Sequence, residues 1–373
     1  MSTWASNIPG TERIGQARDA LGKAGIDALL VTPGVDLRYL TGYAAVALER
    51  LTCLVVPADG DPRLVVPRLE QPAAEASPAG ALGLDIVPWE ETDDPYAVVA
   101  ALLPDRVERV VLDDHMWAEK VLRLRDAMPG ARQVRGGEVL GGLRIRKAAD
   151  EVAALRAAGQ TIDRVHARMG EWLRAGRTER AVAADIAAAI VAEGHVRTDF
   201  VIVGSGPNGA SPHHEVSDRM IEPGDPVVVD IGGVTAAGYC SDSTRTYAAG
   251  EPPAEFREYY AVLHRAQEAG CAAVRPGATA ESVDAAARTV ISDAGYGDYF
   301  VHRTGHGIGL ETHEQPYIVA GNEMPLEPGM AFSIEPGIYL PGRHGARIED
   351  IVVVTEDGVE RLNETSRDLS ILE

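Results

Sequence analysis

The segment that most constrains this chain is PVVVDIGGVTAAGYCSDSTRT, residues 226–246, because it predicts a β-hairpin that carries two acidic side chains. The run VVVDI is apolar and β-branched, and STRTY resumes strand-like residues after the turn. Three glycines between these runs, Gly232, Gly233 and Gly238, permit turn conformations. We therefore predict a strand, a turn and a second strand in this segment.

The two acidic side chains of the hairpin are Asp230 and Asp242. If the strands pair symmetrically about Ala236, the two aspartates face each other directly, with Cβ atoms about 4.5–5.5 Å apart. Ionised carboxylates at that separation repel each other unless a cation binds between them. An isolated pair of this kind is also compatible with an exposed acidic turn, so other parts of the chain must distinguish the two interpretations.

The net charge of the chain argues against nucleic acid as a partner. Its 373 residues include 35 lysines and arginines but 56 aspartates and glutamates, which gives a formal charge of −21. A protein of this charge repels a phosphate backbone. The length exceeds that of one typical domain and predicts two domains with a sizeable core.

Cysteine usage and hydropathy predict a soluble, cytoplasmic protein with no membrane partner. Cys53, Cys240 and Cys271 are widely separated and lack CxxC spacing, so neither a disulfide framework nor a thiolate zinc site is indicated. The N-terminal segment MSTWASNIPGTERIG contains no apolar run of signal-peptide length. The longest apolar runs, such as residues 97–103, are too short to span a bilayer.

We predict an α/β domain for residues 1–140. An amphipathic helix at 12–24 is followed by apolar strands that alternate with helical segments, which is the pattern of α/β folds. The predicted strands are DALLVT, LTCLVVP, RLVVP, LDIVPW and RVVLDD. Glycines cluster at 136–147, where the pattern changes, so a second domain is expected from residue 148 to residue 373.

Helices and strands both occur in the second predicted domain. Its helical patterns lie near residues 148–174, 178–194, 253–272 and 279–294. His166, on the first of these helices, is expected at the surface rather than in a ligand site.

One glycine motif in this domain needs to be distinguished from a dinucleotide site. The loop GSGPNG matches GxGxxG after a strand. The fingerprint requires a helix directly after it, whereas the following residues include Pro212 and Pro223 and show no helical stripe. We therefore predict a glycine-rich loop here.

Histidines and glycines alternate in VHRTGHGIGLETHE, further along the chain. This segment holds three of the ten histidines, His302, His306 and His313. Glycine at every second position removes the side chains from one face of a strand and allows close approach of another backbone or of a ligand. The histidines beside this glycine ladder therefore indicate a functional site.

Two glutamates then interrupt apolar, strand-like sequence: Glu335 in FSIEPGIYL and Glu349 in ARIEDIVVV. A buried carboxylate needs a partner because its charge is costly to remove from water. Four such acids and a histidine make a pair of divalent metal ions the simplest partner. Carboxylate and imidazole ligands without thiolate suit Mn²⁺, Co²⁺, Fe²⁺ or Zn²⁺. Two such ions lower the pKa of a shared water, so hydrolysis is the expected chemistry.

These motifs together resemble the pita-bread metallopeptidases, and within them the Xaa-Pro peptidases, aminopeptidase P and prolidase. The resemblance covers residues 150–370 through NGASPHH, VVVDIGG, YCSDSTRT, TGHGIGLETHE, SIEPG and ARIEDIVVV. The N-terminal part resembles the extra α/β domain of the aminopeptidase P, prolidase and creatinase branch. The resemblance implies an α/β (α+β) protein whose C-terminal pita-bread domain has a curved, mostly antiparallel sheet covered by helices.

The resemblance also implies roles for individual residues. The five metal ligands would be Asp230, Asp242, His306, Glu335 and Glu349. Asp242 and Glu349 would bridge two ions, and Glu335 would also accept the proton of the shared water. The remaining implied active-site residues are His213, which would assist the leaving nitrogen or the tetrahedral oxygen, His302 and His313, which would face the substrate, and Arg347, which would support the site.

Two features of this chain depart from the family pattern. Many relatives have the two aspartates one residue closer together, so a bulge or a longer turn must absorb the difference here. Some dipeptidases carry an arginine shortly after the histidine–glutamate pair that is His313 and Glu314 in this chain. In those enzymes the arginine holds the substrate carboxylate. Tyr317 occupies that neighbourhood in this chain, which favours longer peptides over free dipeptides.

The function implied by the resemblance is metal-dependent release of the N-terminal residue from Xaa-Pro peptides, as an aminopeptidase P or an Xaa-Pro dipeptidase. Two divalent ions per chain, Mn²⁺ first among them, a proline-containing peptide substrate and a homodimer are expected. A creatinase-like C–N hydrolase and a non-catalytic pita-bread binding protein are the alternatives. Both alternatives predict an incomplete ligand set, whereas all five positions carry donor residues here.

Overall fold

A computed structural model describes residues 10–373 of the chain. It divides the chain into two compact units between Arg144 and Ile145. Among the described residues, no helix combines the length and apolar character needed to cross a membrane.

The N-terminal unit is built on one six-stranded sheet with the order β4-β3-β2-β1-β5-β6. Its strands are β1 (Ala28–Val31), β2 (Cys53–Pro57), β3 (Arg63–Pro67), β4 (Asp85–Trp89), β5 (Arg109–Leu112) and β6 (Arg132–Arg135). Its helices are α1 (Gly10–Ala24), α2 (Val35–Thr41), α3 (Gln71–Ala76), α4 (Pro78–Ala81), α5 (Pro95–Ala101), α6 (Ala118–Ala127) and α7 (Leu140–Arg144).

The sheet of this unit is mixed. The parallel pairs are β1–β5, β3–β4 and β5–β6. The antiparallel pairs are β1–β2 and β2–β3. The five predicted strands correspond to β1–β5. Sequence reasoning missed β6, RQVR, because this edge strand has an exposed arginine at each end, two half-buried residues between them and no apolar run.

The C-terminal unit contains three sheets. Its helices are α8 (Ala149–Ala167), α9 (Glu179–Glu193), α10 (Ala254–Ala273) and α11 (Ala280–Asp293). Its strands are β7 (His195–Ser205), β8 (Pro226–Thr235), β9 (Cys240–Ala249), β10 (Gly305–Gly307), β11 (Glu314–Ile318), β12 (Ala331–Ile334), β13 (Gly337–Leu340), β14 (His344–Arg347), β15 (Asp350–Val354), β16 (Val359–Arg361) and β17 (Ser370–Leu372).

These sheets are mostly antiparallel. Their strand orders are β17-β9-β8-β7, β11-β10-β12-β15-β16 and β13-β14, and β17 with β9 is the parallel pair among them. One buried apolar cluster joins α8 and α9 to β7, β8 and β9 through residues such as Ile162, Ile186 and Val229. Residues 206–210 form a short 3₁₀ turn after β7 rather than the start of a phosphate-binding helix.

The β8–β9 hairpin forms as predicted, but its register differs from the symmetric one about Ala236. Asp230 pairs with Thr244, and Asp242 pairs with Gly232, so direct opposition of the two aspartates is wrong. Strand β8 ends at Thr235 and β9 begins at Cys240, and a hydrogen bond between Thr235 and Tyr239 closes a three-residue loop, 236–238, at the end of the hairpin. The Thr235 N–H donates to the Tyr239 carbonyl at 3.0 Å, and Gly238 has a φ of 94°. A loop of three residues with glycine in the left-handed region places the centre of pairing one residue later.

The shifted register still places the two aspartates on one face of the hairpin. Asp230 and Asp242 are diagonal neighbours, and Thr244 and Gly232 complete the group of four. Because side chains on one face recur every second residue, the two carboxylates point the same way. The turn absorbs the extra residue between them.

Gly232 and Gly233 lie within β8 and not in the turn. A Cβ on Gly232 would lie 2.4 Å from the Ser241 carbonyl oxygen and 2.5 Å from the Phe200 ring. These positions therefore need glycine because neighbouring atoms approach closely.

His166 is buried, which corrects the expectation that it lies at the surface. Its Nε2 donates to the Ser243 carbonyl at 3.3 Å, and the Tyr247 hydroxyl lies 2.8 Å from Nδ1. Burial, together with the nearby Arg245, lowers the pKa of His166 to about 3, so the ring is neutral. The residue belongs to the packing between α8 and β9, and an alanine there would leave buried polar groups without partners.

The glycine ladder at 305–309 is expected to tolerate no added methyl group. A Cβ on Gly305 would lie 1.8 Å from the Ser333 carbonyl oxygen in β12. We expect Gly305→Ala to lower the free energy of unfolding by about 2–3 kcal/mol, as overpacking does in cores. Denaturant unfolding of the full chain measures this change.

Gly15→Ala in α1 is the matched control, because nothing lies within 4 Å of the added Cβ. An alanine there should stabilise the helix by about 0.5–1 kcal/mol. Identical unfolding midpoints for Gly305→Ala and the wild type would contradict the close approach of β10 and β12.

Candidate metal centre

All the site residues predicted from the sequence line a single cleft of about 580 Å³ in the C-terminal unit. They are Asp230, Asp242, His306, Glu335, Glu349, His213, His302, His313 and Arg347. Phe200, Ile202, Pro212 and Arg303 complete its lining and were not predicted. Strand pairing brings two of these residues into the cleft. Ile202 pairs with Asp230 across β7 and β8, and Phe200 lies two residues before Ile202 on the same strand.

The five proposed metal ligands are placed by backbone pairing. Asp230 and Asp242 lie within β8 and β9, and His306 lies within β10. Ile334 pairs with Asp350 at the end of the β12–β15 ladder. Glu335 directly follows Ile334, and Glu349 directly precedes Asp350, so the two glutamates lie next to each other at the end of this strand pair.

The imidazole of His306 lies at the centre of this group. Its Nε2 is 3.2 Å from a Glu335 carboxylate oxygen and 3.6 Å from an Asp242 carboxylate oxygen. One ligand atom each from Asp242, His306 and Glu349 lies within 4.8 Å of the others. Nδ1 of His306 lies 3.2 Å from the Gly307 carbonyl and donates to it, which leaves the lone pair of Nε2 free for a metal ion.

Two buried carboxylate oxygens of the group have no hydrogen-bond partner. They are Oδ1 of Asp230 and Oε1 of Glu349. The second oxygen of each residue is engaged, because Arg347 donates to Oδ2 of Asp230 and the Thr244 hydroxyl donates to Oε2 of Glu349 at 2.7 Å. Buried polar atoms normally find a partner, so each acid is held by one oxygen and presents the other to a cation.

The carboxylates also oppose one another's ionisation. Burial, with the charges of Glu349 and Asp230, raises the pKa of Asp242 well above its ordinary value. Burial, with the charges of Glu335 and Asp230, does the same to the pKa of Glu349, and burial raises the pKa of Glu335 to about 7. Positive charge of more than one unit is needed to keep this set ionised, and the donor types fit hard or borderline divalent ions.

Arg347 joins the metal group to two neighbouring elements. It forms an ion pair with Asp230, and its Nη1 donates to the Tyr339 hydroxyl at 2.7 Å and to the Pro212 carbonyl at 3.3 Å. Pro212 directly precedes His213, so the same guanidinium holds an acidic ligand and the loop that carries a cleft histidine. Truncation of Arg347 would leave Asp230 with an unpaired buried charge.

The remaining histidines differ in how firmly they are held. The ring of His302 is fixed at both nitrogens, by the Arg303 carbonyl at 2.7 Å and the Tyr339 hydroxyl at 2.9 Å. Burial and the charge of Arg347 lower the pKa of His302 to about 4, so it is neutral. His313 is exposed, and its ring centroid is 4.1 Å from that of His306. His313 is therefore exposed beside His306, whereas both ring nitrogens of His302 already have partners.

The structure also reveals a buried acid that sequence reasoning missed, Glu179 at the start of α9. Its carboxylate accepts hydrogen bonds from Ser205, the last residue of β7, and from three residues of the following segment that carries His213: Asn208, His214 and Ser217. Burial alone would raise the pKa of Glu179, but hydrogen bonds from Ser217, Ser205 and His214 outweigh it and lower this pKa to about 2. A single acid among the many of this chain gave no sequence signal of this role.

Comparison with known proteins agrees with this geometry. Residues 153–356 match Metallopeptidase family M24, and residues 13–146 match the Creatinase/Prolidase N-terminal domain. A relative named probable dipeptidase PepE, from Mycobacterium tuberculosis, is 56% identical over 96% of both chains. The chain belongs to metallopeptidase family M24.

Two further relatives of this M24 metallopeptidase carry the name dipeptidase. An Xaa-Pro dipeptidase of Lactobacillus delbrueckii subsp. lactis is 38% identical over 93% of this chain and 95% of its own length. The crystal structure of dipeptidase PepE from Mycobacterium ulcerans superposes with a TM-score of 0.93 at 55% identity, covering 97% of this chain and 98% of that one. The predicted family and the two-part pita-bread fold are confirmed.

Removal of one carboxylate should change the stability of the metal-free chain and its response to metal in opposite directions. We expect Glu349→Gln to raise the unfolding free energy of the metal-free chain, because the substitution removes a buried charge that its neighbours disfavour. The same variant should lose the stabilisation that Mn²⁺ gives the wild type, about 2.7 kcal/mol at one hundred times the dissociation constant. Thermal unfolding with chelator and with Mn²⁺ measures both effects. An equal Mn²⁺-induced shift in variant and wild type would exclude Glu349 as a ligand.

Glu179 should act on stability and on the His213 loop without holding metal. Glu179→Gln is expected to lower the unfolding free energy by about 3 kcal/mol, because buried donors lose a charged acceptor. Since the folded pKa is below the ordinary 4.5, this stabilisation is complete above about pH 4.5 and is lost as the pH falls towards 2. Denaturant unfolding of wild type and Glu179→Gln at pH 7 and at pH 3 measures the difference in their unfolding free energies. The exposed Glu268→Gln is the control. A difference that does not shrink at pH 3 would contradict the assignment.

Proposed function

We propose that this chain is a dinuclear metallopeptidase that hydrolyses the peptide bond before proline and releases the N-terminal residue of Xaa-Pro peptides. The observation that carries the proposal is the convergence of four carboxylates and one histidine in one cleft, with two buried carboxylate oxygens lacking partners. Membership of the M24 family and a relative named Xaa-Pro dipeptidase support the same reaction and substrate.

The residues that would hold two divalent ions are Asp230, Asp242, His306, Glu335 and Glu349. By the family resemblance, Asp242 and Glu349 would be the ligands shared by both ions, and with His306 they offer ligand atoms that lie within 4.8 Å of one another. When bound, such a pair supplies a water of lowered pKa and a positive field for the oxyanion that forms on attack at a carbonyl. The residue range proposed for this catalytic domain is 148–373, and that for the N-terminal domain is 1–140.

The chain's own groups would move the protons. Glu335 would act as the general base. One of its oxygens accepts a hydrogen bond from the Ser333 hydroxyl at 3.0 Å while the carboxylate lines the cleft, which supports this role. His213 and His313 line the same cleft and can donate to the leaving proline nitrogen or to the carbonyl oxygen. Phe200, Ile202 and Pro212 provide apolar contact for the substrate side chains.

The alternative functions fit this chain less well. A creatinase-like C–N hydrolase or a non-catalytic binding protein would not need the complete ligand set. Neither would require Asp230 and Glu349 each to keep one buried carboxylate oxygen free.

Manganese, a homodimer and a cytoplasmic location belong to the same proposal. The oxygen-rich ligand set suits Mn²⁺ among the hard and borderline ions. Cys53, Cys240 and Cys271 are free and buried, which suits a reducing compartment. The homodimer rests on the family resemblance, and light scattering of the purified chain tests it.

Substitution of Glu335 tests the proposed reaction. We expect the wild type with Mn²⁺ to cleave Xaa-Pro peptides, and Glu335→Gln to lose at least about 100-fold in kcat, as loss of a general base does. Glu258→Gln, an exposed glutamate on α10, is the matched control and should retain wild-type activity. The assay follows release of the N-terminal residue with and without chelator. A fully metallated wild type that leaves a panel of Xaa-Pro peptides intact would refute the function.

A further inference from the structure

One ion pair on α11 lies outside the metal centre but next to the segment that leads into it. Nε and Nη2 of Arg288 donate to the two carboxylate oxygens of Asp284, both at 2.9 Å. The Asp284 side chain is only 1% exposed, and that of Arg288 is 31% exposed. An ion pair that served the helix alone could remain in water, so the burial of Asp284 indicates a further task. We call these two residues the α11 ion pair.

The buried carboxylate of Asp284 also holds Thr304, the residue directly before β10. Its Oδ1 accepts hydrogen bonds from the Thr304 hydroxyl at 2.7 Å and from the Thr304 N–H at 3.2 Å. The carbonyl of Thr304, which is fully buried, accepts a hydrogen bond from the backbone N–H of Glu335 at 2.8 Å. A short chain of hydrogen bonds therefore leads from α11 to the backbone of the proposed general base.

Arg288 fixes the backbone of the same segment a few residues earlier. Its Nη1 donates to the Phe300 carbonyl at 3.0 Å, and its Nη2 donates to the His302 carbonyl at 2.8 Å. The guanidinium carbon lies 4.1 Å from the centroid of the Phe300 ring. That ring meets the His302 imidazole edge to face, with the centroids 5.1 Å apart. One arginine thus holds two carbonyls and the aromatic ring against which a cleft histidine packs.

The segment 300–304 depends on this support because it lies outside any helix or strand. It connects a 3₁₀ turn at Gly297–Tyr299 to β10. The strand that follows it has three residues, and two of them are glycines without a side chain to anchor. Side-chain hydrogen bonds from α11 therefore do at residues 300, 302 and 304 what strand pairing does elsewhere in the site.

We propose that Asp284 and Arg288 are positioning residues of the reaction, which hold the segment 300–304 so that His302 and Glu335 keep their places in the cleft. The inference rests on the proposed function and adds two residues to it. Neither residue lines the cleft, so the α11 ion pair acts through the backbone of its neighbours. Groups that hydrogen-bond behind metal ligands orient those ligands, and their loss costs about 10- to 100-fold in metal affinity or turnover.

A purely structural ion pair would leave a different signature. Its loss would lower the free energy of unfolding but leave the kcat and the metal affinity of the folded protein unchanged. Loss of a positioning contact lowers kcat at constant KM, because the α11 ion pair does not contact the substrate. It also weakens binding of the ion that Glu335 would hold.

The test uses Asp284→Asn and Thr304→Val in the full-length, Mn²⁺-loaded chain, at a temperature at which circular dichroism shows each variant folded. Asp284→Asn should lower kcat on Ala-Pro or Ala-Pro-Ala by about 10- to 100-fold and change KM less than about twofold. It should raise one Mn²⁺ dissociation constant, measured from the electron paramagnetic resonance of free Mn²⁺, by about 10-fold. Thr304→Val keeps the side-chain shape and both charges and removes one hydroxyl contact, so its effects should be smaller and in the same direction.

Arg288→Lys separates the charge of the arginine from its geometry. The lysine keeps a positive charge beside Asp284, but it lacks the planar group that reaches the Phe300 and His302 carbonyls together. It should therefore regain the unfolding free energy that Arg288→Gln loses and should not regain the lost kcat.

Asp293→Asn on the same helix and Arg265→Gln on α10 are the matched controls, since both residues are exposed, and each should keep the wild-type kcat and Mn²⁺ affinity. Wild-type kcat and Mn²⁺ affinity in folded Asp284→Asn and Thr304→Val would overturn the inference, as would wild-type kcat in Arg288→Lys. If the wild type binds Mn²⁺ but cleaves neither peptide, the proposed function fails instead. The Mn²⁺ dissociation constants of the same variants then still decide whether the α11 ion pair positions Glu335.

Discussion

The catalytic unit depends on buried negative charge held at one point. Asp230, Asp242, Glu335 and Glu349 converge in one cleft, where burial and the negative charges of their neighbours raise the pKa values of Asp242 and Glu349. Arg347 offsets one of these charges and leaves the rest for cations to balance. Because a metal-free cleft is electrostatically unfavourable, metal binding and the stability of the unit are coupled. The same field would hold the two divalent ions of the proposed reaction.

Rigid backbone pairing makes this concentration of charge possible. Every ligand lies in a strand or at the first residue beyond one, so no ligand depends on a long loop. The approach of neighbouring strands is close enough that Gly232 and Gly305 have no room for a side chain. These glycines, which any backbone conformation would suit in an unfolded chain, are therefore restricted by close neighbours in the folded one.

A second layer of polar groups controls the parts of the cleft that meet the substrate. Glu179 gathers the donors of the loop that carries His213, while Arg347 holds the carbonyl of the residue before that histidine. Arg303, another residue of the cleft lining, packs its guanidinium against the Tyr317 ring.

The sequence by itself determined the hairpin, the family and which acids and histidines would share one cleft, because carboxylates and glycines inside apolar strands weaken a fold unless they bind a cation or admit a close neighbour. It also determined five of the six strands of the N-terminal unit, whose apolar runs are continuous. Only the tertiary structure decided the register at Asp230, since one extra residue can be absorbed by either the turn or a bulge. It alone decided the burial of His166 and the contact of Arg303 with Tyr317, because such contacts depend on which strands become neighbours, and local sequence carries no record of that.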